Sequence, residues 1–283
     1  MTLAFTQIEQ AASYSVPFDA IAEQYDRTFS SSMIGQLQRA AVWREFRKSF
    51  RAGDRILDVG CGTGVDACFL AEHGIDVIAC DESSQMLRVA AQKIAALPTT
   101  AGSIQLRPVS AEEVLSLRKE GPFDGAISNF GAVNCVSHVG KLARDLARLL
   151  KPGARVLLCV IGSSCAWETA WYLVCGKPGK AFRRFRRGGA LAKLEGSETF
   201  NVYYHSVHSM RSLFAPAFRL ESVLGIGVLV PPSYLEPWAR RFPRLTRLAA
   251  EADRYVGLCP GIRGFADHIL LRFERTEHNG ENN

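Results

Sequence analysis

A carboxylate and three glycines follow one another near the start of the chain. Residues 56–59 form a short apolar run that contains Asp58, and Gly60, Gly62 and Gly64 come directly after it. Glycine lets a backbone approach a ligand closely, and the free N–H groups at the start of a helix attract a negative group. This pattern suits a ligand that carries both an ammonium and a carboxylate.

Two other interpretations of this glycine-rich turn stay open at the level of spacing. A dinucleotide site requires Gly or Ala at the third position of its fingerprint, and Val65 stands there. A tight turn between a strand and a helix, with no ligand at all, has the same appearance. Spacing alone therefore favours a nucleotide-type site without naming its occupant.

The seven-residue segment 58–64 resembles the first motif of the class I S-adenosylmethionine (SAM)-dependent methyltransferases. It reads Asp-Val-Gly-Cys-Gly-Thr-Gly. The resemblance implies that SAM is the cofactor and S-adenosylhomocysteine (SAH) the product. It also implies that this segment contacts the cofactor through Asp58, Gly60, Cys61, Gly62 and Gly64.

A second carboxylate lies about 20 residues further on, at the end of the next apolar run. Asp81 is placed to accept hydrogen bonds from ribose hydroxyls, as in nucleotide-binding sheets. The alternative is that Asp81 caps the helix predicted over residues 85–96. The segment 80–87 resembles the second motif of the same family, which implies cofactor contacts from Glu82 and Met86.

Further cofactor contacts are implied after the third and fourth predicted strands and in an N-terminal helix. The family carries an acid at the position of Ser110, and Glu112 stands close by. The implied set is completed by Ser110, Ala111, Glu112, Asn129, Phe130 and Tyr25. For Tyr25, simple packing of its helix on the core is the alternative.

Five apolar strands alternate with helical segments between residues 55 and 161. Such alternation predicts a parallel α/β sheet with helices on both faces, whose ligands bind at the carboxyl ends of the strands. The resemblance implies a doubly wound, mainly parallel seven-stranded sheet of the Rossmann-like type. We predict a helical cap (1–50), a SAM-binding core (51–162), a lid insertion (163–216), the last strands with a helical insertion (217–275) and a disordered tail (276–283).

The predicted lid is rich in aromatic residues. In comparable enzymes such an insertion covers the methyl acceptor, so Trp167, Tyr203 and Tyr204 are predicted to bind the substrate. The alternative is that these rings form the small core of the lid itself. The same insertion carries a basic run at 177–187 with two phenylalanines inside it, which is typical of either a solvated face or an RNA-binding surface.

Two histidines are candidates for a catalytic base. His138 follows the fourth predicted strand, and His205 lies in the aromatic insertion. Methyl transfer depends mainly on alignment of the acceptor with the methyl carbon, so proximity alone can suffice. The loop after the fourth strand lacks the residues typical of DNA methyltransferases, which favours a small, partly hydrophobic acceptor methylated on oxygen. An RNA methyltransferase and a non-catalytic SAM-binding partner protein are the alternatives.

Composition sets the remaining bounds. The chain has 283 residues, a net charge of +6 and eight cysteines. No cysteine spacing predicts a metal site, no apolar run reaches the length of a membrane span, and the first residues do not have the pattern of a signal peptide. We therefore expect a cytoplasmic protein with reduced thiols, no metal, a small-molecule partner and no nucleic acid.

Overall fold

The computed structural model describes residues 16–98, 101–186, 188–194, 196 and 199–277. The predicted loose arm before Val16, most of the tail after residue 276 and Arg187 of the basic run lie outside these residues. The strands are β1 Arg55–Val59, β2 Asp76–Asp81, β3 Ile104–Pro108, β4 Phe123–Ser128, β5 Leu150–Ile161, β6 Ala190–Lys193, β7 Thr199–Val202, β8 Phe218–Ile226 and β9 His268–Arg275.

The longer helices lie before, between and after these strands. They are α1 Met33–Ser49, α2 Val65–Glu72, α3 Ser84–Ala95, α4 Val139–Leu149, α5 Ala166–Val174, α6 Val207–Phe214, α7 Glu236–Arg241 and α8 Pro243–Val256. A 3-10 helix, Ala111–Glu120, follows β3. Pro243 begins α8, as expected for a residue that has no backbone donor to lose in a first helical turn.

Seven strands form one sheet in the order β3-β2-β1-β4-β5-β9-β8. The first five strands are parallel, and β9 and β8 add to them in antiparallel fashion. This arrangement confirms the predicted doubly wound, mainly parallel fold. The strand order reverses between β1 and β4, so the loops that follow these two strands separate and leave a crevice between them.

Two apolar cores hold the helices on the two faces of the sheet. One core joins α4 and α6 to the sheet, with Phe214 and Phe273 stacked at 4.6 Å. The other joins α1 and α2, with Trp43 stacked on Phe69 at 4.2 Å. Because α6 contributes the fully buried Met210 and Phe214, it packs as a helix of the main domain, although the predicted lid boundary at 216 included it.

The strand β5 begins with an irregular stretch. It starts at Leu150, and its pairing with β4 shifts register between Phe123 and Gly125. Gly153, with a φ of 75°, lies inside this irregular stretch. The segment Lys151–Gly153 is therefore an irregularity within the strand.

An N-terminal cap segment, residues 17–30, crosses the carboxyl edge of the sheet. It consists of three short helical stretches, Pro17–Ile21, Ala22–Tyr25 and Asp26–Ser30. Asp26 accepts hydrogen bonds from Thr63 Oγ1 at 2.6 Å and Lys93 Nζ at 2.6 Å. Asp19 accepts one from Ser83 Oγ at 2.6 Å. The cap is thereby fastened to the glycine-rich turn and to α3, over the crevice.

Candidate functional site

A cavity of about 280 Å³ opens at the carboxyl ends of the central strands, beneath the cap segment; we call it the cofactor-type cavity. Most of the residues predicted to contact a cofactor line it: Tyr25, Gly60, Gly62, Asp81, Glu82, Met86, Ser110, Ala111, Glu112, Asn129 and Phe130. The sequence analysis did not assign its other wall residues, Phe18, Gly131, Ala132, Cys135 and Val136. Phe18 had a detectable signal, because it shares a helical face with Tyr25.

The three glycines of the turn have different structural roles. A Cβ on Gly60 would lie 2.4 Å from Ala132 Cβ, so no side chain fits there. Gly62 has a φ of 54° and open space where its Cβ would be, beside the cavity. Gly64 precedes α2, and its Cβ would lie 3.0 Å from Ala90 of α3. Gly62 is therefore the position at which an added methyl group would enter the ligand space.

Two buried acceptor atoms at the ends of neighbouring strands lack donors. Asp58 Oδ2 of β1 and Asn129 Oδ1, directly after β4, have no hydrogen-bond partner among the described residues. Burial raises the pKa of Asp58 well above its usual value, and the nearby Asp66 and Asp81 add to this effect. Unpaired buried acceptors are costly. An ammonium group is the kind of donor that both atoms lack.

A buried ion pair that the sequence analysis missed orients Asn129. Arg39 of α1 lies 2.6 Å from Asp66 Oδ2 of α2, and both side chains are nearly inaccessible. Asp66 also accepts hydrogen bonds from Trp43 Nε1 at 2.7 Å and Asn129 Nδ2 at 2.8 Å. These bonds fix the amide so that its Oδ1 stays free. No sequence motif connects these residues, which come from three separate segments.

Asp81 lies on the cavity wall with each carboxylate oxygen held by a backbone donor. Gly62 N donates to Oδ2 at 2.8 Å, and Ser83 N donates to Oδ1 at 2.9 Å. The helix cap is Ser83, whose Oγ accepts from Met86 N. The capping role considered for Asp81 thus belongs to Ser83, and the carboxylate of Asp81 has lone pairs available toward the cavity.

The far end of the cavity suits a flat, apolar group. Met86 is 2% exposed and lines the wall together with Val136. The Glu112 carboxylate accepts hydrogen bonds from the backbone and hydroxyl of Ser137, and these bonds lower its pKa. Ser110 Oγ contacts Glu113 at 3.4 Å. The hydroxyl of Ser110 therefore makes only a long hydrogen bond within the protein.

Cys61 and Tyr25 take opposite positions relative to the cavity. The side chain of Cys61 packs toward the core between α1 and the sheet, so only its backbone belongs to the turn. Tyr25 lies on the roof, and burial raises the pKa of its phenol to about 12, with Arg39 acting against this increase. Tyr25 is thus a neutral hydrogen-bond donor at physiological pH.

A second cavity, of about 350 Å³, adjoins the first beneath the lid; we call it the lid cavity. The two cavities share Phe18, Tyr25, Phe130, Gly131 and Cys135. Other rings complete the walls of the lid cavity: Phe29, Phe200 and Tyr234. Phe130 lies between the two cavities with a φ of 48°, a rare conformation for a residue other than glycine.

None of the three residues predicted to bind the substrate lines the lid cavity. Trp167 Nε1 donates to Leu229 O, and its ring packs against Trp238 at 6.1 Å. Tyr204 lies 5.8 Å from the Arg184 guanidinium. Tyr203 faces a different cavity. The rings in the lid cavity come instead from the cap segment, β7 and the segment before α7.

The two predicted catalytic histidines also lie away from the shared wall. His138 and His205 line a separate cavity, which has only Val136 in common with the cofactor-type cavity. Burial lowers the pKa of His205. Neither imidazole faces the space where the two main cavities meet, so the structure gives no support to their catalytic assignment.

A charged cluster closes the inner end of the lid cavity. Arg184 donates to Glu168 Oε2 at 2.8 Å and to Asp267 Oδ1 at 2.8 Å. Arg183 also donates to Glu168 at 2.7 Å. Although burial raises the pKa of Asp267, His268 and Arg184 together hold it well below its usual range. Two arginines of the basic run are therefore engaged inside the protein.

The described residues contain neither a cluster of metal ligands nor a membrane-spanning helix. No group of three or more His, Cys, Asp or Glu side chains there is arranged to hold a metal ion. In the same part of the chain, no helix combines the length and the apolar character needed to cross a bilayer. All eight cysteines are free thiols.

The sequence matches a family model and several curated relatives. Residues 56–153 match the family described as "Methyltransferase domain". The chain is 35% identical over 147 residues to a demethylmenaquinone methyltransferase of Clavibacter sepedonicus, and 34% identical over 179 residues to one of Symbiobacterium thermophilum. These alignments cover 51% and 61% of this chain, and 56% and 61% of the relatives. The chain thus spans little more than half the length of these relatives.

Solved structures with the same fold include further methyltransferases. A SAM-dependent methyltransferase of Methanosarcina mazei superposes with a TM-score of 0.53 at 16% identity, over 82% of this chain and 97% of that one. An N-methyltransferase of Haemonchus contortus, solved with SAH, gives 0.51 at 17% identity, over 97% and 61%. The predicted fold is confirmed.

Proposed function

We propose that this chain, whose residues 56–153 belong to the class I SAM-dependent methyltransferase family, transfers a methyl group to oxygen of a small, partly hydrophobic acceptor. The observation that carries the proposal is the wall common to the two cavities. A ligand in the cofactor-type cavity and a second molecule in the lid cavity would meet beside Phe130 and Gly131.

The residues that line the first cavity, together with the buried Asp58, which does not line it, fit SAM. The unpartnered acceptors of Asp58 and Asn129 suit its ammonium, Asp81 suits its ribose hydroxyls, and Met86 suits its adenine. When bound, SAM supplies an activated methyl group on a sulfonium. The chain aligns the two reactants, excludes water through the cap segment and removes an acceptor proton where one is present.

The lid cavity indicates the character of the acceptor. Its walls are mainly aromatic and aliphatic, and its charged groups are concentrated at one end. Such a lining favours a compact apolar body with one polar group. The demethylmenaquinone methyltransferases among the relatives carry the name of a quinone substrate, which supports an acceptor of mixed aromatic and polar character.

The direct test is incubation of the pure protein with isotope-labelled SAM and a fractionated metabolite extract. We expect one or a few small, moderately apolar species to gain a single methyl group, and this group should be bound to oxygen. Tight SAH binding without labelling of any fraction would contradict the proposal and favour the non-catalytic alternative. Labelling of RNA instead would favour the nucleic-acid alternative.

The basic run is less suited to RNA than its sequence indicates. Arg183 and Arg184 form ion pairs with Glu168. Lys177, Lys180 and Arg186 are exposed. RNA affinity that falls steeply with added salt would restore the RNA alternative, because each phosphate contact releases counterions.

Gly62→Ala is expected to fold and to lose SAM binding. The substitution places a methyl group in the open space beside the cavity. Because the backbone at residue 62 has a positive φ, alanine there also adds a strain of about 1 kcal/mol. We expect the affinity for SAH, measured by calorimetry, to fall at least about tenfold, the equivalent of about 1.4 kcal/mol.

Gly153→Ala is the matched control for this variant. Gly153 also has a positive φ, 75°, and nothing within 4 Å of an added Cβ, but it lies in β5 away from the cavity. Both variants should lose similar stability, whereas SAH affinity should fall only in Gly62→Ala. Equal affinities in the two variants would remove Gly62 from the proposed site.

A further inference from the structure

An unassigned histidine lies where the lid cavity meets the cofactor-type cavity. His268, the first residue of β9, lines the lid cavity and keeps about a tenth of its side-chain surface exposed. Its ring lies 5.4 Å from that of Phe130, edge to face, and Phe130 lines both cavities. His268 is therefore placed at the boundary that an acceptor and SAM would share.

The two ring nitrogens of His268 are in different environments. Nδ1 lies 3.2 Å from Asp267 Oδ2 but makes no well-aligned hydrogen bond within the described residues. Nε2 makes no hydrogen bond within the described part of the chain. An imidazole with a carboxylate beside one nitrogen and a free second nitrogen is the arrangement that general-base catalysis requires.

Asp267 is itself fixed by two other elements. Its Oδ1 accepts from Arg184 Nη2 of the lid at 2.8 Å, and its Oδ2 accepts from Gln38 Nε2 of α1 at 3.3 Å. The carboxylate stays ionised in this setting. It can therefore stabilise a positive charge that forms on the neighbouring imidazole.

We propose, resting on the proposed function, that His268 is the catalytic base of this site and that Asp267 positions it, which assigns the acceptor to flat hydroxyl compounds such as phenols and enols. As the acceptor oxygen bonds to the methyl carbon, its O–H proton moves to His268 Nε2. The electron pair of the breaking carbon–sulfur bond goes to sulfur. One positive charge leaves the sulfonium and one appears on the imidazole, so charge is conserved.

Several charged groups surround His268. The carboxylates of Asp267 and Glu168 and the guanidinium groups of Arg183 and Arg184 line the same cavity as the imidazole. Arg39 lies behind Phe130, with its guanidinium carbon 4.7 Å from the ring centre, and is paired with Asp66. Tyr25 is neutral over the working range. Asp267 is the nearest of these charges.

The test uses 4-nitrophenol, a phenol that ionises near neutral pH and absorbs visible light when ionised. Bound to the SAH-saturated wild-type protein, we expect its apparent pKa to fall by about one unit, because a proton accepted by His268 leaves a phenolate beside an imidazolium. In His268→Asn and His268→Gln this shift should disappear. This readout needs no methyl transfer.

Catalysis gives the second arm of the test. With labelled SAM and a panel of substituted phenols, His268→Asn should lower kcat by about 10²–10⁴-fold, the usual contribution of a positioned base. SAH affinity should stay within about twofold. The loss should be smallest for the most acidic phenols, which need no base. His208→Asn, at an exposed position of α6, is the matched control.

The outcomes separate this proposal from the proposed function. If wild-type protein fails to bind SAH, the proposed function fails, and the nitrophenol titration repeated on the ligand-free protein and its His268 variants still tests the base assignment. If SAH binds and the nitrophenol shift persists in both His268 variants, the base assignment is wrong. If wild-type protein binds no phenol at millimolar concentration, the hydroxyl acceptor class is wrong. Loss of the shift in both variants, with His208→Asn unchanged, supports the proposal.

Discussion

Asp58→Asn is expected to yield a protein that is more stable without ligand and binds SAM about ten- to a hundredfold more weakly. The buried Asp58 Oδ2 has no donor among the described residues, so its charge costs stability in the free protein. The same charge is available to the ammonium of SAM, and a hydrogen bond to a charged group contributes about 1.5–3 kcal/mol. In Asp58→Asn the free energy of unfolding of the ligand-free protein should therefore rise, while the affinity for SAM should fall.

The pH dependence follows from the direction of the shift. Burial raises the pKa of Asp58 in the folded state, so between the ordinary carboxyl pKa and this raised value the folded protein binds more protons than the unfolded chain. The contribution of Asp58 is thus present at acid pH and is lost as pH rises through the raised pKa. Wild-type stability should fall by about 1.4 kcal/mol per pH unit across this window relative to Asp58→Asn.

Urea denaturation at several pH values and calorimetry with SAM check both effects. Wild-type protein should release a proton on binding SAM in this window, seen as a dependence of binding enthalpy on the buffer. Asp76→Asn is the control, since Asp76 begins β2 at the opposite edge of the sheet and its pKa is lowered by hydrogen bonds from Ser103. A pH-independent stability difference, or unchanged SAM affinity in Asp58→Asn, would refute the assignment.

Arg184→Gln is expected to destabilise the protein by about 3–5 kcal/mol, because it leaves two buried carboxylates without their shared cation. Arg184 is 6% exposed and binds Glu168 Oε2, Asp267 Oδ1 and the Asp267 carbonyl oxygen at 2.8 Å each. The lid residue thus joins α5 to the start of β9. We also expect a lower affinity for any acceptor that binds in the lid cavity.

Arg186→Gln is the matched control, since it changes the same residue type two positions away at an exposed site. Its effect on the free energy of unfolding should stay within about 0.5 kcal/mol.

Because the pKa of Asp267 is held low in the folded state, the stability that Asp267 contributes is present above the ordinary carboxyl pKa and is lost as pH falls through the depressed value. The difference between wild type and Arg184→Gln should therefore be full at pH 7 and shrink in acid. Equal unfolding midpoints for the two arginine variants at pH 7 would contradict this account.

The sequence by itself determined the parts of the site that depend on short chain distances. The spacing from Asp58 through the three glycines to Asp81 fixes a strand, a turn, a helix and a second strand, because hydrophobic periodicity and glycine conformation act locally. Residues at the carboxyl ends of successive parallel strands must then share one edge. Most of the residues predicted to contact the cofactor accordingly line one cavity at this edge.

The tertiary structure alone decided which side chains line the lid cavity. The aromatic composition of the insertion is visible in the sequence, but these rings alternate without a helical or strand period, so the direction of each ring depends on packing. Trp167 accordingly packs on Trp238, while Phe200 enters the lid cavity. In the sequence, nothing distinguishes His268 from the first residue of an ordinary strand. Only long-range packing brings His268 to Phe130, and only long-range packing brings Asp267 to Arg184. Contacts that close such long loops leave no local pattern, because their free energy comes from the assembled core rather than from neighbouring residues.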